Sequence, residues 1–181
     1  ALSRVYFSAI KDRLYCAAID SPRRRRSQTA LFTICDGLTK LLAPVISHTA
    51  DEAYLSLHGF ERSSEHSVHL ETFPSPTGVK ASAGWEVLLS LRDDALREIE
   101  TGKGKLEVKN SLDLGVRIKA PAETTNAVAE SLSELADLLG VSQASIESSD
   151  CAFEVELDDL RELPRCQRSW KRDGTVKARD N

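Results

Sequence analysis

Phe7-Ser8-Ala9-Ile10-Lys11-Asp12-Arg13-Leu14-Tyr15, followed by Asp20-Ser21-Pro22-Arg23-Arg24-Arg25-Arg26 and running on to Leu42-Ala43-Pro44, is the stretch that decides the fold. Tyr6, Ile10, Leu14 and Ala17 recur at helical spacing, so residues 2–18 read as a helix with one apolar face. Asp20-Ser21-Pro22 supplies the start of a second helix: a capping side chain, then a proline where a missing N–H costs nothing. Leu31, Ile34, Leu38, Leu41 and Leu42 mark its expected buried stripe, and Pro44 its end. Thr49 with Glu52 reads as a capping box opening a third helix, which Gly59 stops.

Beyond a loop rich in Ser, Glu and His, Ser75-Pro76-Thr77-Gly78 reads as a hinge. Trp85, Leu88, Leu89, Leu96 and Ile99 mark a fourth helix, expected to halt near Gly102. Four such helices can pack as a bundle by hiding their stripes against one another. The period then changes. Leu112, Leu114, Val116 and Ile118 alternate with Asp113, Gly115 and Arg117, as in a strand. Leu132, Leu135, Leu138 and Leu139 return to helical spacing, and residues 141–148 and 151–157 read as short strands. The expectation is a mainly α protein: a helical bundle over residues 1–108, a small α+β module over 109–163, and a tail over 164–181.

The net charge of −4 hides a strong asymmetry. Residues 1–40 hold eight Lys/Arg against three acids, residues 41–163 ten against twenty-three, and residues 164–181 six against two. Local positive patches, not the summed charge, meet a phosphate backbone. Arg23, Arg24, Arg25 and Arg26 fall in the first turn of the second helix, where the macrodipole is already positive. An external phosphate relieves that conflict, and Lys11 and Arg13 extend the patch. In the tail, Arg165-Cys166-Gln167-Arg168-Ser169-Trp170-Lys171-Arg172 sets a tryptophan among basic residues, the pairing suited to unpaired bases. A solvated turn and a core-edge tryptophan are the alternatives.

The ordered series from Phe7 to Tyr15, Asp20 to Arg24, Leu42 to Pro44, His48-Thr49-Ala50-Asp51-Glu52-Ala53-Tyr54 and Ser67-Val68-His69-Leu70-Glu71-Thr72-Phe73-Pro74 resembles the anticodon-binding helical bundle of the bacterial-type isoleucyl-tRNA synthetases. The resemblance is strong over residues 1–74, fair from Trp85 to about Leu157, and damaged in the last 18 residues. It implies a class I, cytoplasmic enzyme that joins isoleucine to its tRNA using ATP and Mg. This chain would be the C-terminal part that grips the anticodon stem-loop, with the catalytic domain of the same polypeptide as its other partner. Lys11, Arg13, Arg23 to Arg26, Arg168, Trp170, Lys171 and Arg172 are the implied tRNA contacts.

The family's tail carries Cys-x-x-Cys-Trp with an Arg before the second Cys. Here Cys166, Arg168 and Trp170 match, but Ser169 replaces the second cysteine. A structural zinc site needs four ligands, so Cys166 alone implies a degenerate site without metal. Cys16, Cys35 and Cys151 are unpaired in spacing, and His48, His58, His66 and His69 read as structural. The nucleotide-activating signatures of class I synthetases are absent, so no catalytic residue or cofactor of its own is expected. No apolar run is long enough to span a bilayer. Two alternatives stay open: the equivalent region of a valyl, leucyl or methionyl synthetase, or a helical protein-interaction module without an RNA role.

Overall fold

In the computed structural model, which describes residues 2–63, 65–80, 82–150 and 153–176, the chain is mainly helical with one small sheet. It forms two compact units, residues 17–79 and residues 1–16 with 80–181. Cys151, where the last strand is expected to begin, lies outside the described residues.

The unit of residues 17–79 is built on α2 (Pro22–Leu42) and α3 (Ser47–His58), which follow the first helix of the chain, α1 (Ser8–Tyr15). Ser21 caps α2 as its sequence promises, its hydroxyl accepting from the Arg24 N–H at 3.5 Å, with Pro22 at the first position. Gly59 closes α3 with φ of 69°, a left-handed cap that glycine takes without steric cost. The expected capping box is a correction. Helix α3 begins two residues before Thr49, its cap position is Ile46, and no side chain caps it. Asp51 instead reaches across to a short 3-10 turn at Val68–Leu70, accepting from the Ser67 hydroxyl at 2.7 Å and the Val68 N–H at 2.9 Å. That anchors Val68 in a small core with Ala43, Ala50, Tyr54 and Leu55.

A second correction concerns α2. Its C-terminal stripe is not buried: Leu38, Leu41 and Leu42 are 43%, 53% and 42% exposed. The face of α2 that meets α3 mixes Phe32, edge-on to the His58 ring at 5.4 Å, with a polar group, Asp36 and Lys40 3.0 Å apart and His58 Nε2 3.0 Å from Asp36. Lys40 also pairs with Glu71 at 3.1 Å, and Tyr54 donates to the same carboxylate at 3.0 Å. His58 and His66 stack on Phe60, with ring centroids 5.5 and 4.1 Å away. These contacts are structural roles for two of the four histidines.

In the other unit, π-type turns at Leu2–Phe7 lead into α1, and α4 (Ala83–Leu106) lies against the sheet. The sheet has order β2-β1-β3: β1 (Leu114–Ala120) pairs parallel with β2 (Gln143–Ser148) and antiparallel with β3 (Glu154–Asp159). Between β1 and β2 come α5 (Ala122–Val128), a 3-10 stretch and α6 (Leu135–Leu139). Leu88, Ala95 and Ile99 of α4 share one core with Leu114, Ile118 and Leu135. The apolar face of the fourth helix therefore serves the sheet.

Helix α4 does not halt at Gly102 but runs to Leu106. Gly102 instead leaves room for a side chain of β3: a Cβ there would fall 2.2 Å from Leu157 Cδ1, so Leu157 would have to shift. The helix ends where Glu107 turns left-handed at φ 52°, and Arg161 donates to the carbonyl of Leu106 at 3.2 Å. The difference between a filled and an unfilled stripe is measurable. Leu88→Ala is expected to cost about 2–5 kcal/mol in urea denaturation, as emptied core sites do, whereas Leu41→Ala on the exposed stripe changes stability by less than about 0.5 kcal/mol.

Candidate nucleic-acid interface

The Cys166–Lys171 segment folds as a tight knuckle. The Cys166 N–H donates to the Lys171 carbonyl and the Trp170 N–H to the Cys166 carbonyl, both at 2.9 Å. Trp170 closes it with φ of 63°, a left-handed conformation rare for a bulky residue. The Ser169 hydroxyl, with the backbone N–H groups of Ser169 and Arg168, donates to the Cys166 sulfur and holds its thiol below the ordinary value. Backbone donors converging on one sulfur would suit a metal-bound thiolate, yet Ser169 offers a hydroxyl where a second thiolate is required. Among the described residues no group of three His, Cys, Asp or Glu side chains comes together as a metal site. The residues here do not fit a structural zinc.

Three of the cations singled out in the sequence are engaged inside this unit. Arg13 pairs with Glu134, and with Asp137 at 2.9 Å. Lys171 lies 2.6 Å from Asp137 and 3.5 Å from Asp12. Arg172 lies 2.6 Å from Asp113, donates to the carbonyls of Leu163 and, at 3.2 Å, Arg161, and its backbone N–H donates to the Ser142 hydroxyl at 2.7 Å. Burial alone would raise the Asp137 carboxyl, but the hydrogen bonds and charges of Lys171 and Arg13 override it and hold the group below the usual carboxylate range. These pairs fasten the tail to α1, α6 and the turn before β1. Sequence could not show this, because the acids lie more than twenty residues from their cations.

The other two tail residues singled out in the sequence are exposed. Arg168 is exposed and donates to the Tyr15 carbonyl at the end of α1. Trp170 is 52% exposed, with the Arg165 guanidinium 5.3 Å from its ring centroid, within reach of a cation–π contact. Lys11, Tyr15, Arg168 and Trp170 line one cleft of about 580 Å³, with Asp12, Asp137 and Lys171 along the same wall. Tyr15, 69% exposed, was not singled out by the sequence reading. Its signal was available: it lies off the apolar face of Tyr6, Ile10 and Leu14.

In the unit of residues 17–79, the arginine run occupies the first turns of α2. Arg23, Arg25 and Arg26 are exposed. Arg24 is half-buried and folds back, its guanidinium donating to the Ala17 carbonyl at 3.0 Å. The side chains of Arg25 and Arg26 have no hydrogen-bond or ion-pair partner among the described residues, so their charges meet the positive end of α2 uncompensated.

A helical protein with a solvent-facing basic turn and a cleft of exposed aromatic and basic side chains has the makings of an RNA-binding module. Residues 1–118 match the family model described as the anticodon-binding domain of tRNA ligase, and the chain belongs to that family. Among curated proteins it is similar to the isoleucine–tRNA ligase of Kosmotoga olearia, 33% identical over 94% of this chain and 19% of the relative. The isoleucine–tRNA ligase of Syntrophotalea carbinolica is 35% identical over 93% of this chain and 19% of the relative. That of Thermotoga maritima is 32% identical over 99% and 20%. The chain thus spans about a fifth of the length of the relatives it matches. No described helix is long and apolar enough to cross a membrane.

Proposed function

We propose that this chain is the tRNA-gripping, anticodon-reading part of an isoleucine–tRNA ligase. The observation that carries this reading is the likeness to enzymes of that name along nearly the whole chain, 94% of it for the Kosmotoga relative. In such a cytoplasmic enzyme a catalytic domain of the same polypeptide would join isoleucine to tRNA with ATP and Mg²⁺. This part would contribute binding energy that orients the acceptor end there.

Arg23, Arg25 and Arg26 neutralise phosphates from the start of α2, with Arg24 bracing the turn. Lys11 and Arg168 do the same around the cleft, where Trp170 offers its ring to an unpaired base. Arg13, Lys171 and Arg172 act through the fold, by holding the knuckle in place. Binding of this chain to isoleucine tRNA and to a non-cognate tRNA across a salt series tests the reading. Preference for isoleucine tRNA with steep salt dependence is expected. Equal binding at every salt concentration would contradict it.

A further inference from the structure

Stacking needs an apolar ring with an accessible face, and α1 ends on one that the core does not use. Tyr15 is 69% exposed and stands one position past Leu14, which keeps the core-facing register of Ile10. Among the described residues neither Tyr15 nor Trp170 stacks on another aromatic ring. Both line the same cleft of about 580 Å³, within the usual range for a site that encloses a small organic group. The backbone that carries each ring is fixed. Arg168 donates to the Tyr15 carbonyl, the Cys16 thiol lies 3.7 Å from the Arg168 carbonyl, and Trp170 is locked at a left-handed φ by the knuckle.

The charges of the cleft sort its occupant. Lys171 is taken up by Asp137 and Asp12 along its wall, so it is not free for a phosphate inside, while Lys11 and Arg168 are exposed and suit backbone phosphates at the rim. A neutral, flat heteroaromatic group flanked by phosphates satisfies both conditions.

We propose that Tyr15 and Trp170 together form a slot for one unpaired nucleobase of RNA, which makes Tyr15 a second stacking residue beside Trp170. The proposal rests on the tRNA-binding reading above and deepens it. One base enters the cleft between the two aromatic residues while its neighbouring phosphates meet Lys11 and Arg168. Either ring is a sequence-tolerant surface, because every base has a π-face. The phenol hydroxyl is not required.

The test uses the 181-residue chain carrying Trp85→Phe, so that Trp170 is the one tryptophan left to report. Two RNA probes are compared: the anticodon stem-loop of isoleucine tRNA, and the same stem closed by a compact, internally stacked loop. The open loop is expected to quench Trp170 fluorescence. Tyr15→Ala should weaken its binding roughly tenfold, with Tyr15→Phe within about twofold of the parent, as loss of one stacking platform predicts. The closed stem should bind Tyr15→Ala and parent alike. If Tyr15→Ala binds the open loop as the parent does while Trp170→Ala does not, the two-ring slot is wrong and the tRNA-binding reading stands. If the parent fails to bind either probe, the tRNA-binding reading itself falls. Unchanged far-UV circular dichroism of Tyr15→Ala confirms that an exposed residue was removed without unfolding.

Discussion

Replacing Arg23, Arg25 and Arg26 together by alanine is expected to weaken tRNA binding by roughly one to two orders of magnitude at low salt. The logarithmic salt slope should fall by about 3, since each phosphate-neutralising cation contributes about one unit. The structure supplies the reason for choosing these three. Arg24 donates to the Ala17 carbonyl and braces the turn, so its removal would mix a structural loss with an electrostatic one. The exposed three follow a serine-capped, proline-led helix start that forms without them. Taking the charges of Arg25 and Arg26, which have no side-chain partner among the described residues, from a positive helix end should stabilise the free protein slightly, by about 0.3–1 kcal/mol per charge at low salt. A variant that keeps its fold and binds tRNA far worse separates the loss of phosphate contacts from damage to the protein. An unchanged salt slope would remove α2 from the interface.

The second large effect is on stability. Asp137→Asn is expected to destabilise the unit of residues 1–16 and 80–181 by about 3 kcal/mol, the low end of the cost of breaking a buried charge pair. Among the described residues Lys171 would keep one ion pair, with Asp12 at 3.5 Å, and Arg13 one, with Glu134. The pH dependence follows from the sign of the shift. The folded-state value of Asp137 lies below its ordinary value of 3.8, so its contribution is full above that value and is lost as pH falls through the depressed one. The parent should therefore lose stability on the acid side more steeply than Asp137→Asn. Urea titrations of both proteins at neutral pH and near pH 3 check this; parallel acid limbs would contradict it.

Local signals proved the most legible. Ser21-Pro22 starts α2 and Gly59 stops α3, because a cap involves only residues a few positions apart. The strand expected over residues 151–157 is present as β3 over Glu154–Asp159, and Phe153, Val155 and Leu157 pack against the core. The failures involve partners distant in sequence. Gly102 looked like a helix stop because its contact with Leu157 cannot be read from either residue alone. Thr49 and Glu52 have the spacing of a capping box, but Asp51's bonds to Ser67 and Val68 organise that end of α3. Leu38, Leu41 and Leu42 have helical periodicity, yet periodicity says only that a face is apolar, not what covers it.

The candidate interface divides in the same way. Exposure at Trp170 and at Arg25 and Arg26 agrees with the composition of those segments, where basic residues surround a ring or a helix start. Arg13, Lys171 and Arg172 could not be told from their neighbours by sequence, since Glu134, Asp137 and Asp113 become their partners only after folding. Tyr15 was overlooked because it sits inside a motif read for its charges.

Nuclease and hydroxyl-radical footprinting of isoleucine tRNA bound to this chain tests the central claim most directly. Protection confined to the anticodon stem and loop, lost in the loop when Trp170 is replaced and in the stem when Arg23, Arg25 and Arg26 are replaced, is the predicted result. Protection centred on the acceptor stem, or spread evenly over the whole tRNA, would contradict an anticodon reader.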